Sequence, residues 1–387
     1  MYWFSSYIYV PILSPYVEQL GAGYSFVGMV LGVYGLMQIL FRMPIGISSD
    51  YWNRRRPFIF VGLGATLVSC LIFAWSDHLG WILAARAISG IAASAWVVYT
   101  VMFSGFFPQE EAGKAMSMMQ FATVLAQLVS MMLSGALVER WGWEMPFIVG
   151  AVVSVIALVL ACWLPEQRIA RAGGAMSLKE LAPVMREPML LKVSILSVLA
   201  HCVLFITMFG YVPNQALAIG ASTESLGWLT IAFMLPHALA TLFAARFAGR
   251  MLGDRITLVI GFAGSAVFTL LIPLAPAFEW LCVTQVFNGF AQGLIFPLLL
   301  GKSVESIEPA KRATAMGFYQ AVYAIGMSSG PWLAGWLNAA YGLAGGFLFA
   351  ALAALCAAVL SVLWLRKRSD AASPAATAQG AGADAQA

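Results

Sequence analysis

Apolar residues run through the chain in blocks of about 18 or more, the length a helix needs to cross a bilayer, with short polar breaks between them. Reading blocks between breaks predicts twelve helical spans near 2–19, 24–48, 57–76, 79–105, 112–138, 144–164, 189–218, 225–249, 256–275, 278–301, 312–339 and 344–365. The longest break, Pro165 to Pro188, is charged and framed by prolines. It reads as a linker between two six-helix halves, 1–164 and 189–368. From 369 to 387 the chain is small-residue and polar, cannot supply a core, and is predicted to be disordered. The first span begins almost at Met1 and is barely long enough, so the native start is expected upstream, and no basic leader precedes it.

Sliding the chain by 200 residues sharpens the two-half reading. Ala115, Met116, Gln120, Leu133, Gly135, Leu137, Gly142 and Phe147 meet Ala315, Met316, Gln320, Leu333, Gly335, Leu337, Gly342 and Phe347. Two parallel, related six-helix units follow from such a repeat. The expected fold class is therefore all-α and polytopic.

Composition agrees and narrows the options. Apolar residues make up 61% of 387 and charged residues 10%, with mean hydropathy +0.85, which excludes a soluble domain of this length. Charge placement is more informative than the net +4. Eighteen of the 21 Lys and Arg fall in breaks after even-numbered spans or at the C-terminus. Arg140 stands alone on the opposite side, and Arg42 and Arg86 lie within spans. By the positive-inside rule both termini and the linker are cytoplasmic. The five cysteines sit singly in apolar runs, which excludes zinc and disulfide frameworks.

Polar groups inside a membrane need partners or a water-filled space. Those singled out are Gln38, Arg42, Arg86, Gln120, Gln127, His201, His237, Gln285, Asn288, Gln292 and Gln320, all on spans 2, 4, 5, 7, 8, 10 and 11. Spans 3, 6, 9 and 12 carry only Ser, Thr and Cys and are expected to face lipid. Tyr34, Gln38 and Arg42 repeat at i, i+4 and i+8, while Gln285, Asn288 and Gln292 stand at i, i+3 and i+7. Each stripe can line a cavity or act as helix–helix glue. Tyr34, Gln38, Gln285, Asn288 and Gln292, with Gln120, Gln127 and Gln320, make the candidate substrate cavity. Arg86, His201, His237 and Glu18 are the candidates for proton coupling. Every acidic residue lies at a span end or in a loop, which argues against a polycation pump. No HExxH or P-loop is present, and the single GxSxG match, Gly326 to Gly330, lies inside span eleven rather than on a strand-to-helix turn, so no enzyme or nucleotide-driven pump is indicated. No cofactor is expected, and energy would come from a proton or solute gradient.

The stretch "GISSDYWNRRRPF" between spans 2 and 3 resembles the loop motif of the major facilitator superfamily. Gly46 and Asp50 match, Arg54, Arg55 and Arg56 supply its basic end, and Asn53 replaces a glycine. "RAISGIAAS" is similar to that family's helix-four motif through Arg86 and Gly90, while the helix-five antiporter motif is absent. The first helix resembles the drug:proton antiporter branch. The resemblance implies twelve helices, a rocker-switch monomer with a central cavity, and a latch in which Asp50 meets the start of helix eleven. It also implies that Arg86 takes part in proton coupling. The reading is a secondary transporter in a bacterial-type inner membrane, with a small molecule and the lipid bilayer as partners and no nucleic acid. Proton-coupled efflux of apolar, neutral or anionic compounds leads. An uptake carrier for a sugar or organic anion, and a transport-inactive scaffold, stand as alternatives.

Overall fold

A computed structural model describes residues 1–107, 111–166, 183–244, 251–308 and 311–365, except for the side chains of 50, 112–115, 117, 313 and 314. The tail, the middle of the linker and the Asp50 side chain lie outside what is described. The described residues are helical, with no strand among them.

Nine helices among the described residues are long and apolar enough to cross a membrane. Three further segments complete the expected twelve: Tyr2–Tyr7 with Val10–Gln19, the shorter Met145–Ala161, and Arg312–Tyr341, which carries Arg312, Gln320 and Asn338. Spans 1 to 12 below follow chain order. Several run further than hydropathy indicates, such as span 2 (Tyr24–Tyr51), span 5 (Ala112–Trp141) and span 10 (Phe278–Glu305). Polar residues in a helix that emerges from the bilayer still satisfy the backbone ladder.

Three spans are broken. Span 4 divides at Ala95 into Leu79–Ser94 and Trp96–Ser104. Span 1 divides at Ile8 and Tyr9, while span 7 runs Pro188–Ile206, a π-turn Thr207–Tyr211, then Val212–Ala218. The breaks in spans 1 and 7 both fall at the tripeptide Tyr-Val-Pro, residues 9–11 and 211–213. Proline has no N–H for the preceding turn, so the ladder must open or widen there.

The internal repeat is visible in the backbone. Span 5 and span 11 (Arg312–Tyr341) are offset by 200 residues, and each ends on a left-handed glycine, Gly142 and Gly342. Asn53 has φ 47° and Gly253 has φ 78°, again 200 apart, opening span 3 (Arg56–Trp75) and span 9 (Asp254–Leu270). Asn is the residue best able to take glycine's left-handed role there.

Spans 6 (Met145–Ala161) and 12 (Leu343–Trp364) present apolar stripes outward, including Val152, Val155 and Val159, and Leu348, Leu352 and Leu355. Exposed tryptophans, Trp75, Trp81, Trp141, Trp228 and Trp280 at one end and Trp52 and Trp163 at the other, form two interfacial belts. The halves meet along spans 1 and 7, 2 and 11, and 5 and 8.

Candidate functional site

The junction of the halves is tight toward the arginine-poor end. A Cβ on Gly28 would lie 2.5 Å from the Pro331 carbonyl oxygen, and one on Gly32 would lie 2.5 Å from that of Ser328. A Cβ on Gly35 would lie 2.6 Å from the Ser328 nitrogen. Glycine here lets two backbones touch. Spans 5 and 8 (Ser225–Phe243) close the same way, with a Cβ on Gly227 2.5 Å from the Met132 carbonyl. Thr223 donates to Glu139 at that edge. Glu18 fastens the third pair: its carboxylate accepts from Asn214 Nδ2 at 2.5 Å and from the Tyr24 hydroxyl at 2.9 Å. Tyr211 adds a hydroxyl placed to donate to the Tyr24 or Pro331 carbonyl, each at 3.3 Å.

Further along the junction lies a polar network with no acid among its described residues. Arg42, buried at 6% exposure, donates to Gln38 Oε1 at 2.5 Å. Across the halves it donates to Gln320 Oε1 at 3.3 Å and to the Tyr323 hydroxyl at 3.4 Å. Tyr323 stacks on His201 with centroids 4.0 Å apart. His201 Nδ1 lies 2.8 Å from the Ser197 carbonyl, and the Ser197 hydroxyl donates to Tyr319 at 2.8 Å. Phe296 touches both histidine rings, and His237 stacks on Phe233 with its Nδ1 unpartnered.

Arg86 occupies the other arm of the Tyr34–Gln38–Arg42 stripe. It is 3% exposed, its guanidinium sits 4.2 Å from the Tyr34 ring and 6.0 Å from the Tyr9 ring, and its Nε has no partner. Snorkelling to the surface is thereby ruled out for it. Arg42, Arg86, His201, Tyr34, Gln38 and Gln320 therefore gather at one junction.

The remaining candidates go elsewhere. Asn288 accepts from Ser265 at 2.8 Å and donates to Thr269 at 3.3 Å, and Gln292 donates to Asn288 at 3.2 Å. Gln285 donates to its neighbour Thr284 at 3.2 Å. Asn288 thus ties span 10 to span 9 inside the second half, while Gln285 and Gln292 bond within span 10. Such bonds are worth about 0.6 kcal/mol on average in membranes, up to about 1.7. Asn288→Ala is accordingly expected to lower thermal stability in detergent while leaving turnover per folded molecule within about twofold. A collapse of turnover at unchanged stability would instead place Asn288 in the transport path. Gln120 is exposed and Gln127 half-buried on span 5.

The arginine run has local work beyond orientation. Glu166 accepts from the backbone N–H of Arg55 at 2.6 Å and of Arg56 at 3.2 Å, placing an anion on the positive end of span 3. Arg55 reaches Ser49 at 2.5 Å, and Arg56 binds the Cys162 carbonyl and lies over Phe60. Arg54 is exposed. Gly46 is close to nothing tighter than Val97 at 3.7 Å, so it is not there for close packing. In the second half Asp254 pairs with Lys302 at 2.7 Å.

Reasoning from sequence passed over Glu166, Asn214, Tyr323 and the rings Tyr7, Phe205 and Phe209. Asn214 had a usable signal, since it follows the second Tyr-Val-Pro. The others are ordinary residues whose partners are over a hundred positions away or aromatic.

Two related six-helix units closing on a glycine-lined junction, with buried cations between them, define a polytopic membrane carrier. The chain belongs to the major facilitator superfamily, whose sequence profile matches residues 1–215 and 193–386. It is 24% identical to the inner membrane transport protein YajR of Escherichia coli over 95% of this chain and 80% of that one. It is 26% identical to a chloramphenicol efflux pump of Mycobacterium tuberculosis over 85% of this chain and 81% of the pump. Among solved structures, the nucleoside transporter NupG superposes with TM-score 0.76 at 16% identity, over 95% of this chain and 98% of that one. The protein is a transporter, not an enzyme.

Proposed function

We propose that the protein is a proton-coupled exporter of small apolar, neutral or anionic compounds, working by alternating access with both termini cytoplasmic. The observation that carries this reading is the junction itself, fastened toward the arginine-poor end, which the charge rule assigns to the outside. Each of its bonds exists in one arrangement of the halves, so each can be exchanged as they rock. A relative named for chloramphenicol efflux supports export, and one named for inner membrane transport supports the location.

A coupling proton must be taken up on one side and released on the other. Glu18 is exposed on the arginine-poor side while that side is shut, so a proton bound there returns the way it came. It fits a gate better than a carrier. His201 lies in the junction beside a cation and hydrogen-bonds a carbonyl, where access can switch sides. In proteoliposomes an imposed pH gradient is expected to drive chloramphenicol accumulation, and His201→Gln to abolish the gradient dependence while downhill flux persists. Transport indifferent to the gradient in the wild type would end the coupling claim. Accumulation in the opposite direction in cells would favour uptake.

A further inference from the structure

Arg86 is a buried cation with no carboxylate paired to it among the described residues, and its Nε donates to nothing there. Burying a guanidinium is costly, and the face of a tyrosine offsets only part of that cost. The space beside it is a narrow slit lined by Ser6, Tyr7 and Val10 of span 1, Tyr34 of span 2, and Phe205 and Phe209 of span 7. Its walls thus come from both halves. Tyr7 meets Phe209 edge-on at 5.7 Å, and Tyr34 stacks on Phe205 at 6.3 Å.

We propose that this slit is the cargo's anion subsite, and that the cargo is a small amphiphilic monoanion with a flat apolar body. A forked, planar donor set suits a carboxylate or sulfonate. The apolar body takes the place one ring now holds against the other: Phe209 withdraws from Tyr7 as the halves separate, and the cargo's ring replaces it. The charge on the cargo is single because Arg86 is the one cation lining the slit, while Arg42 donates to Gln38 and Gln320 outside that lining. An occupant here touches both halves, so its binding differs between the two arrangements, as a transported compound's must. The inference rests on the transport reading but on neither its direction nor its proton coupling.

The test uses the purified full-length protein in detergent with salicylate and its neutral analogue salicylamide, followed by calorimetry. Salicylate is expected to bind about tenfold more tightly than salicylamide. Arg86→Gln should erase that preference by weakening salicylate far more than salicylamide, and Phe209→Ala should weaken both ligands alike. Should Arg86→Gln fail to elute as a monodisperse species, Arg86→Lys serves, with the preference reduced but kept. Equal binding of the two ligands, no salicylate binding at millimolar concentrations, or an undiminished preference in Arg86→Gln overturns the proposal. Any of these could occur while pH-driven export of a neutral compound persists, so the two readings fail separately.

Discussion

Gly32→Ala is expected to drive the halves apart at the arginine-poor end and to depress transport sharply. The new methyl would sit 2.5 Å from the Ser328 carbonyl oxygen and 3.5 Å from Trp332 Cβ. The nearer neighbour is backbone, which cannot swing aside as a side chain can. Overpacking of this kind costs about 1–3 kcal/mol, and only the closed arrangement bears it. The closed population should therefore fall by roughly one to two orders of magnitude relative to the open one. Spin labels at Arg140 and Glu279, in a background without the five native cysteines, would report a longer distance. Gly64→Ala is the control, because nothing lies within 4 Å of its would-be Cβ. An unchanged distance distribution in Gly32→Ala would mean that the glycines do not set how the halves meet.

Arg42→Ala should be the most damaging side-chain truncation in the junction. Three acceptors lose a charged donor, two of them in the opposite half. Hydrogen bonds to charged groups contribute about 1.5–3 kcal/mol each, so a loss of about tenfold or more in initial rate is expected. Arg42→Lys should recover part of it, since an ammonium reaches one acceptor where the guanidinium fork reaches three. Combining Arg42→Ala with Gln320→Ala should cost less than the two single changes added together, because both remove the same contact. Rates within about twofold of the wild type in Arg42→Ala would make the network a bystander.

The bundle was legible in the sequence because hydropathy and the 200-residue repeat record burial and duplication directly. Asn53 was readable too, since few residues take a left-handed turn. Span interruptions at the two Tyr-Val-Pro sites were not read, because hydropathy counts apolar residues and ignores the hydrogen bond a proline removes; the break at Ala95 has no proline to announce it. The candidate site was half legible. Arg86, Arg42 and His201 stood out as polar groups in apolar runs, yet periodicity could not separate the Tyr34 stripe at the junction from the Asn288 stripe of span 10, whose Asn288 bonds span 9. Both obey helical spacing, and only the neighbouring helix decides the role. Glu166 was hidden for another reason: a carboxylate capping a helix 110 residues away leaves no local pattern.

The paired Tyr-Val-Pro breaks bear on how the transporter opens. Beyond the first break, Val10–Gln19 forms a lever about 15 Å long at 1.5 Å per residue, carrying Glu18 near its tip. A bend of about 15° at Tyr9 moves that tip about 4 Å, enough to part Glu18 from Asn214. Opening at this end can therefore start as the flexing of two short helical arms, before either six-helix body has turned.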